Sequence, residues 1–159
     1  MDTQSALSVM PGHLIRRLNQ RSTARFQHQL RAAGHDITPV QFAALTTLVE
    51  NPGLDQATLA GLIAYDRATI GGVVKRLEQK GLIQRQTNTD DRRAFRLFVA
   101  PKGRAVLKSI TPLVAALQTD ILSNLSDSER RIFMSLVHKA LNIDPSNDQP
   151  PPTRKKATT

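Results

Sequence analysis

The chain has 159 residues, of which 40 % are hydrophobic, and its formal net charge is +9 at pH 7. This length and hydrophobic content predict one folded unit per chain, and the charge favours a polyanionic partner, nucleic acid rather than an anionic membrane surface. The lack of cysteine excludes disulfides and thiolate metal sites, and the lack of a long apolar run or an apolar signal-peptide core predicts a cytoplasmic protein with no membrane partner.

Helix start and stop signals divide the first half of the chain into four helices. The first three are predicted over Pro11–Ala33, Pro39–Glu50 and Gln56–Ile63. Gly34 ends the first helix, Thr38 begins a capping box for the second, and Asp55 caps the third. The fourth helix is expected to begin at the cap Asp66, to end at Gly81 and to have about four turns. A short helix, a few linking residues and a longer helix predict a helix-turn-helix.

Two strand-forming segments follow the fourth helix. Leu82–Thr87 and Phe95–Val99 are rich in strand formers, and the polar loop Asn88–Ala94 joins them. The tip of this loop reads Thr89-Asp90-Asp91-Arg92-Arg93. A basic helix followed by a two-stranded ribbon with an arginine-rich tip is typical of a winged helix-turn-helix on duplex DNA.

Long apolar helices are predicted at both ends of the chain. Pro101 begins a helix with apolar residues through Leu125, and the capping box at Ser126 begins a last helix through Leu141. Because a small winged domain cannot cover all these apolar faces, we expect a symmetric homodimer. The predicted fold is mainly α with a small β wing: dimerisation helices over residues 1–37 and 101–143, a winged helix-turn-helix over 38–100, and a flexible basic tail over 144–159.

Several of these segments resemble the MarR family of bacterial transcription regulators. They are Asp36–Phe42, Asp55–Ala60, Arg76–Ile83, the wing residues Asp91–Arg93, and Lys102-Gly103. The resemblance implies a triangular dimer with interlocked terminal helices and two winged heads on a pseudo-palindromic operator. It also implies repression that is relieved by a small ligand bound between the dimer platform and the reading head. The segment Tyr65–Gly72 is similar to members that control aromatic-acid breakdown, so the expected effector is an aromatic carboxylate or phenolic acid.

The candidate DNA-binding residues surround the fourth helix and the wing tip. Apolar residues at helical spacing form an inward stripe, Ile70, Val73, Val74 and Leu77. The residues expected to contact DNA are Gln56, Arg67, Ala68, Thr69, Gly72, Lys75, Arg76, Arg92 and Arg93. The first turns should reach bases and the later cations phosphates, although a solvated basic face is the alternative.

The Gly71-Gly72 pair and the two wing arginines each leave two interpretations open. A glycine inside a helix costs roughly 1 kcal/mol relative to alanine, so the pair serves either close approach to the DNA groove or tight packing on a neighbouring helix. One of Arg92 and Arg93 is expected in the minor groove, with the other paired to Asp66 or Asp91. The alternative for both arginines is a turn held by local ion pairs.

The first helix carries the candidate ligand site. No acidic residue lies between Asp2 and Asp36, and helical spacing places four polar side chains near one another, His13, Arg16, Arg17 and Gln20. Resemblance to aromatic-acid sensors implies that one of these arginines holds the effector carboxylate, for which guanidinium geometry is well suited. A solvated face or a salt bridge in a dimer interface is the alternative.

Other function classes have little support in the sequence. It contains no nucleophile elbow, no phosphate-binding glycine loop and no zinc-protease motif, so no enzyme is predicted. Four scattered histidines without cysteine predict no metal site, and no cofactor is expected. Two alternatives of other kinds remain: an architectural DNA-binding protein without sequence preference, and a helical protein–protein adaptor that is a monomer in isolation.

Overall fold

A computed structural model describes residues 6–87 and 95–144. In this part of the chain, the elements are α1 (Pro11–Ala32), α2 (Pro39–Glu50), α3 (Gln56–Leu62), α4 (Ile70–Gln79), β1 (Ile83–Thr87), β2 (Phe95–Val99), α5 (Pro101–Ile121) and α6 (Asp127–Ala140). The predicted class, mainly α with a small β wing, is confirmed. None of the helices in the described residues combines the length and apolar character that a membrane span requires.

Local capping chemistry sets most of the helix ends. At the start of α2, the Gln41 N–H donates to Thr38 Oγ1 at 3.3 Å, and the Thr38 N–H donates to Gln41 Oε1 at 3.2 Å. The same reciprocal pair links Ser126 and Glu129 at the start of α6. Gly34 follows α1 with φ +79°, in the left-handed region that glycine adopts without strain. These predicted ends are therefore confirmed.

The predicted start of the fourth helix is wrong. Asp66 Oδ1 accepts a hydrogen bond from the Ala68 N–H at 3.0 Å, as a cap would, but residues 67–69 form a turn and α4 begins at Ile70. The Thr69 N–H donates to the Asp66 carbonyl and the Gly72 N–H to the Thr69 carbonyl, which is the three-residue spacing of a turn. The helix has ten residues, about three turns instead of four.

The two strands form an antiparallel ribbon. Ile83 pairs with Val99 at one end and Thr87 with Phe95 at the other. The loop before α3 extends the ribbon, since the Gly53 N–H donates to the Leu97 carbonyl and the Leu97 N–H donates to the Leu54 carbonyl, each at 2.9 Å. The tip of the wing, including Arg92 and Arg93, lies outside the described residues, as does the predicted tail from residue 145 onward.

The inward stripe of α4 belongs to the hydrophobic core, as predicted. Ile70, Val73, Val74 and Leu77 are each at most 1 % exposed. They share one cluster with buried residues of the other helices and both strands: Phe26 and Leu30 on α1, Leu45 and Leu48 on α2, Leu59 on α3, Ile83 and Leu97 in the ribbon, and Ile110 and Leu117 on α5. Because its whole inner face is buried, α4 presents its opposite face to solvent at a fixed orientation.

The expectation of one folded unit is wrong. The chain forms one compact unit up to Ile121 and a second from Leu122 onward. The second unit contains α6, which has no buried residue. Among its large apolar side chains, Ile132 and Leu136 are each 60 % exposed. This helix therefore presents its large apolar side chains to solvent.

Candidate nucleic-acid interface

The start of α3 is fixed by its cap. Asp55 accepts hydrogen bonds from the Thr58 N–H at 2.9 Å and the Thr58 hydroxyl at 2.8 Å. These two bonds, led by the one from the backbone, hold the pKa of Asp55 below its ordinary value. The cap sets the position of Gln56, a predicted DNA contact that is half-buried at the first position of α3. Gln56 lies beside α4, because a Cβ built on Gly71 would be 3.4 Å from Gln56 Nε2.

The other predicted contacts on α4 and the turn before it are exposed: Arg67, Ala68, Thr69, Gly72, Lys75 and Arg76. Within α4, Gly72, Lys75 and Arg76 occupy one side of the helix, because positions three and four apart are neighbours. Val73, Val74 and Leu77 turn to the core instead. The face of α4 opposite the buried stripe is thus exposed and ends in two cations.

This surface keeps its positive charge. Among the described residues, no carboxylate forms an ion pair with Arg67, Lys75 or Arg76 within 4 Å. Glu78, the acidic residue of α4, is held by Arg85 of β1, with 3.0 Å between Glu78 Oε2 and Arg85 Nε. A basic helix face whose neighbouring acid is already neutralised is suited to a polyanion.

Arg85 connects α4 to the wing, a role that the sequence analysis missed. Its guanidinium carbon lies 5.8 Å from the centre of the Phe95 ring at the start of β2, which is cation–π distance. Arg85 Nε is buried without a hydrogen bond of good angle, so its contact with Glu78 is an ion pair and not an aligned hydrogen bond. Arg85 pairs with Leu97 in the ribbon and Phe95 with Thr87, so Phe95 is a diagonal neighbour of Arg85 at the tip end. Both strand segments were visible in the sequence, but the helix partner of Arg85 was not.

Gly71 faces Gln56 of α3, whereas Gly72 faces solvent. A Cβ on Gly72 would meet only the guanidinium of Arg76, no closer than 3.7 Å, and that group can move away. No atom of a neighbouring helix lies within 4 Å of that position. Tight helix packing therefore does not explain Gly72, and close approach of the helix backbone to the DNA groove stays a prediction.

The predicted ligand residues of α1 lie together. His13, Arg16, Arg17 and Gln20 line one concave region of about 600 Å³, together with Leu7 and Ser8 from the preceding turn. Arg16 and Arg17 are exposed and His13 is half-buried. In residues 6–87 and 95–144, no group of three or more histidine, aspartate or glutamate side chains is arranged to hold a metal ion.

The chain is similar to known regulators of transcription. The chain is 32 % identical over 130 residues to the transcriptional regulator HosA of Escherichia coli, covering 82 % of this chain and 93 % of HosA. It is 33 % identical over 133 residues to the HTH-type transcriptional repressor NicR of Pseudomonas putida, covering 84 % and 83 % of the two chains. Its fold matches the structure of Bordetella bronchiseptica BpsR, whose DNA binding is regulated by 6-hydroxynicotinic acid, with a TM-score of 0.76, 28 % identity, and coverage of 86 % and 96 %.

The part of the chain that matches a known family model contains α4 and its exposed face. Residues 37–95 match the MarR family model, and this range runs from just before the capping box of α2 to the start of β2. With the winged helix-turn-helix fold and the relatives above, this match shows that the chain belongs to the MarR family of DNA-binding transcription regulators.

Proposed function

We propose that this protein is a homodimeric repressor that binds a pseudo-palindromic operator and is released from it by a small aromatic or phenolic acid. It acts by binding and not by catalysis. The observation that carries the proposal is the exposed outer face of α4, which retains its cations while the inner face is locked into the core. The repressor NicR and the acid-regulated BpsR support the finer parts.

In this proposal α4 is the recognition helix, the element that enters the major groove. Arg67, Ala68 and Thr69 precede its first turn, where side chains of a recognition helix meet base edges. Gln56 accompanies them from the start of α3. Lys75 and Arg76 follow one turn later and contact phosphates, and one of the wing arginines, Arg92 or Arg93, enters the minor groove.

Dimer formation would cover the apolar faces of the terminal helices. Leu14 and Ile15 of α1 are 46 % and 67 % exposed, and Ile132 and Leu136 of α6 are also open to solvent. Apolar patches of this kind on a soluble chain mark an interface. We assign residues 1–37 and 101–143 to that interface and residues 38–100 to the reading head. Sedimentation of a stable, folded monomer at micromolar concentration would contradict this assignment and favour a protein–protein adaptor.

The effector would occupy the concave region on α1. Its volume of about 600 Å³ lies within the range of small-molecule sites, and Arg16 or Arg17 would hold the carboxylate through a bidentate pairing. Bound effector would favour a spacing of the two heads that no longer matches successive major grooves, about 34 Å apart. Operator affinity would then fall by the difference between the effector's affinities for the two states.

Selection of duplexes from a random pool by the purified protein tests the DNA-binding half. A pseudo-palindromic sequence should emerge and bind at least ~10³-fold more tightly than random DNA. Equal binding of all duplexes would instead identify an architectural protein. The selected duplex then serves as the operator in a screen of hydroxybenzoates and 6-hydroxynicotinic acid, read by release from DNA and by a rise in melting temperature.

Separate alanine variants test the carboxylate site. Arg16→Ala or Arg17→Ala should lose binding of the best acid in calorimetry and still bind operator without it. Arg21→Ala is the matched control, because Arg21 lies on the same helix but does not line the concave region. If both variants bind the acid as the wild type does, the carboxylate site lies elsewhere.

A further inference from the structure

Two Lys-Gly dipeptides of the chain meet in space. Lys80-Gly81 ends α4, and Lys102-Gly103 lies in the first turn of α5. Both dipeptides belong to the segments that resemble the MarR family, but the DNA and effector sites above use neither. Their contacts join α4, α5 and the loop between α1 and α2, and we call this group of residues the Lys-Gly joint: Asp36, Lys80, Gly81, Leu82, Lys102 and Gly103.

Backbone hydrogen bonds close the end of α4 within the joint. Gly81, at φ +70°, donates its N–H to the Glu78 carbonyl at 2.8 Å, and the Leu82 N–H donates to the Leu77 carbonyl at 2.9 Å. This is a Schellman ending, which leaves the carbonyl of the cap residue Lys80 available. The Lys102 ammonium donates to that carbonyl at 2.9 Å. A cation there is favoured because the C-terminal end of a helix carries partial negative charge.

The lysine of α4 binds a second element. The Lys80 ammonium donates to Asp36 Oδ2 at 2.9 Å and also to the Asp36 backbone carbonyl. The ammonium lowers the pKa of the Asp36 carboxyl, first through its hydrogen bond and then through its charge. The end of α4 is thereby tied to the loop before α2.

The glycine of α5 brings two backbones into contact. A Cβ on Gly103 would lie 2.2 Å from the Leu82 carbonyl oxygen and 2.8 Å from Val99 Cγ1. The same Leu82 oxygen accepts the Ala100 N–H at 2.9 Å. Only glycine permits this approach, so the first turn of α5 rests directly on Leu82, just after the end of α4.

We infer that the Lys-Gly joint fixes the recognition helix to α5, and that Lys80 and Lys102 are positioning residues for DNA reading and not DNA contacts. The reason is that both ammonium groups are already engaged by oxygens of the chain itself, unlike Lys75. A displacement of α5 would therefore be passed to α4 through these contacts. The inference rests on the proposed operator binding.

The test compares three variants of the full chain. Lys102→Met removes the ammonium and keeps most of the stem, and Lys102→Arg restores a cation. Lys108→Met is the matched control, an exposed lysine of the same helix without an ion pair to any carboxylate in the described residues. Gly103→Ala is unsuitable because the backbone contact at 2.2 Å predicts misfolding.

Each variant is titrated with the selected duplex and with random duplex at several salt concentrations. Lys102→Met should bind the selected duplex about 2- to 30-fold more weakly, the range found for coupling through packed elements. Its preference over random DNA should fall while its salt slope stays that of the wild type. Lys102→Arg should recover most of the loss, and Lys108→Met should leave the preference unchanged.

Three outcomes would overturn the inference. A uniform loss on all duplexes, with a salt slope flatter by about one, would make Lys102 a phosphate contact. A lower melting temperature with unchanged preference would show that the joint only stabilises the fold.

If selection yields no sequence, the proposed function has failed, and amide hydrogen exchange of the free protein then tests whether Lys102 fixes α4 to α5. Exchange at residues 77–82 should accelerate in Lys102→Met and not in Lys108→Met, and equal rates would refute the joint.

Discussion

Replacing Gly72 with alanine should raise the stability of the free protein and weaken its binding to DNA. Gly72 is exposed at the third position of α4, and its new Cβ would touch only the flexible end of Arg76, no closer than 3.7 Å. Alanine is the better helix former because glycine loses more backbone entropy on folding. The free protein should therefore tolerate the methyl group or gain stability from it.

The size of both effects follows from this geometry. Gly72→Ala should add about 0.5–1 kcal/mol to the free energy of unfolding, or a rise in Tm of about 1–4 °C for a chain of this size. If the helix backbone approaches DNA at Gly72, the methyl group displaces it and costs a base contact. Such a contact contributes roughly 1–3 kcal/mol, so operator affinity should fall about 5- to 160-fold.

Thermal unfolding and titration with the selected duplex measure the two quantities on the same sample. Gly61→Ala is the control, since Gly61 is exposed in α3, is not a predicted DNA contact, and has nothing within 4 Å of its new Cβ. It should raise Tm similarly and leave operator affinity unchanged. A Gly72→Ala protein that is more stable and binds operator like the wild type would refute the idea that this glycine serves close approach to DNA.

Three further predictions concern the surface around α4. Asp55→Ala should lower the free energy of unfolding by about 1 kcal/mol at pH 7. Because the folded-state pKa of Asp55 is depressed, its contribution to the free energy of unfolding is complete above about pH 4 and is lost as pH falls through the folded pKa. Chemical unfolding should therefore show a smaller loss for the variant at pH 2 than at pH 7, and equal losses would contradict the cap. Arg67→Ala should relax discrimination at one operator position by roughly 1–3 kcal/mol, whereas Lys75→Ala should weaken all duplexes alike and flatten the salt slope by about one; identical behaviour in binding titrations would exclude this placement of the helix. Arg85→Met should weaken binding to every duplex, because it leaves the negative charge of Glu78 unpaired beside the basic face of α4. Adding Glu78→Gln should restore binding, and a double variant that binds no better than Arg85→Met would refute the neutralising role.

Helix ends and the inner face of α4 could be predicted from the sequence by itself, for a local reason. The cap bonds of Thr38, Asp55 and Ser126 join groups three residues apart, and the buried stripe repeats at helical spacing. The same reasoning failed at Asp66, because a bond from its carboxylate to the Ala68 N–H can begin a turn as well as a helix. His13, Arg16, Arg17 and Gln20 also share one region as their spacing predicted.

Only the tertiary structure decided which charges remain available for DNA. Lys75, Lys80 and Arg85 are all basic residues in or beside α4, and nothing in their local sequence separates them. Folding pairs Lys80 with Asp36, 44 positions away, and Arg85 with Glu78 across the turn into the ribbon, and it leaves Lys75 without a described carboxylate. Ion pairs depend on which elements the buried core brings side by side, and that placement has no periodic signature along the chain.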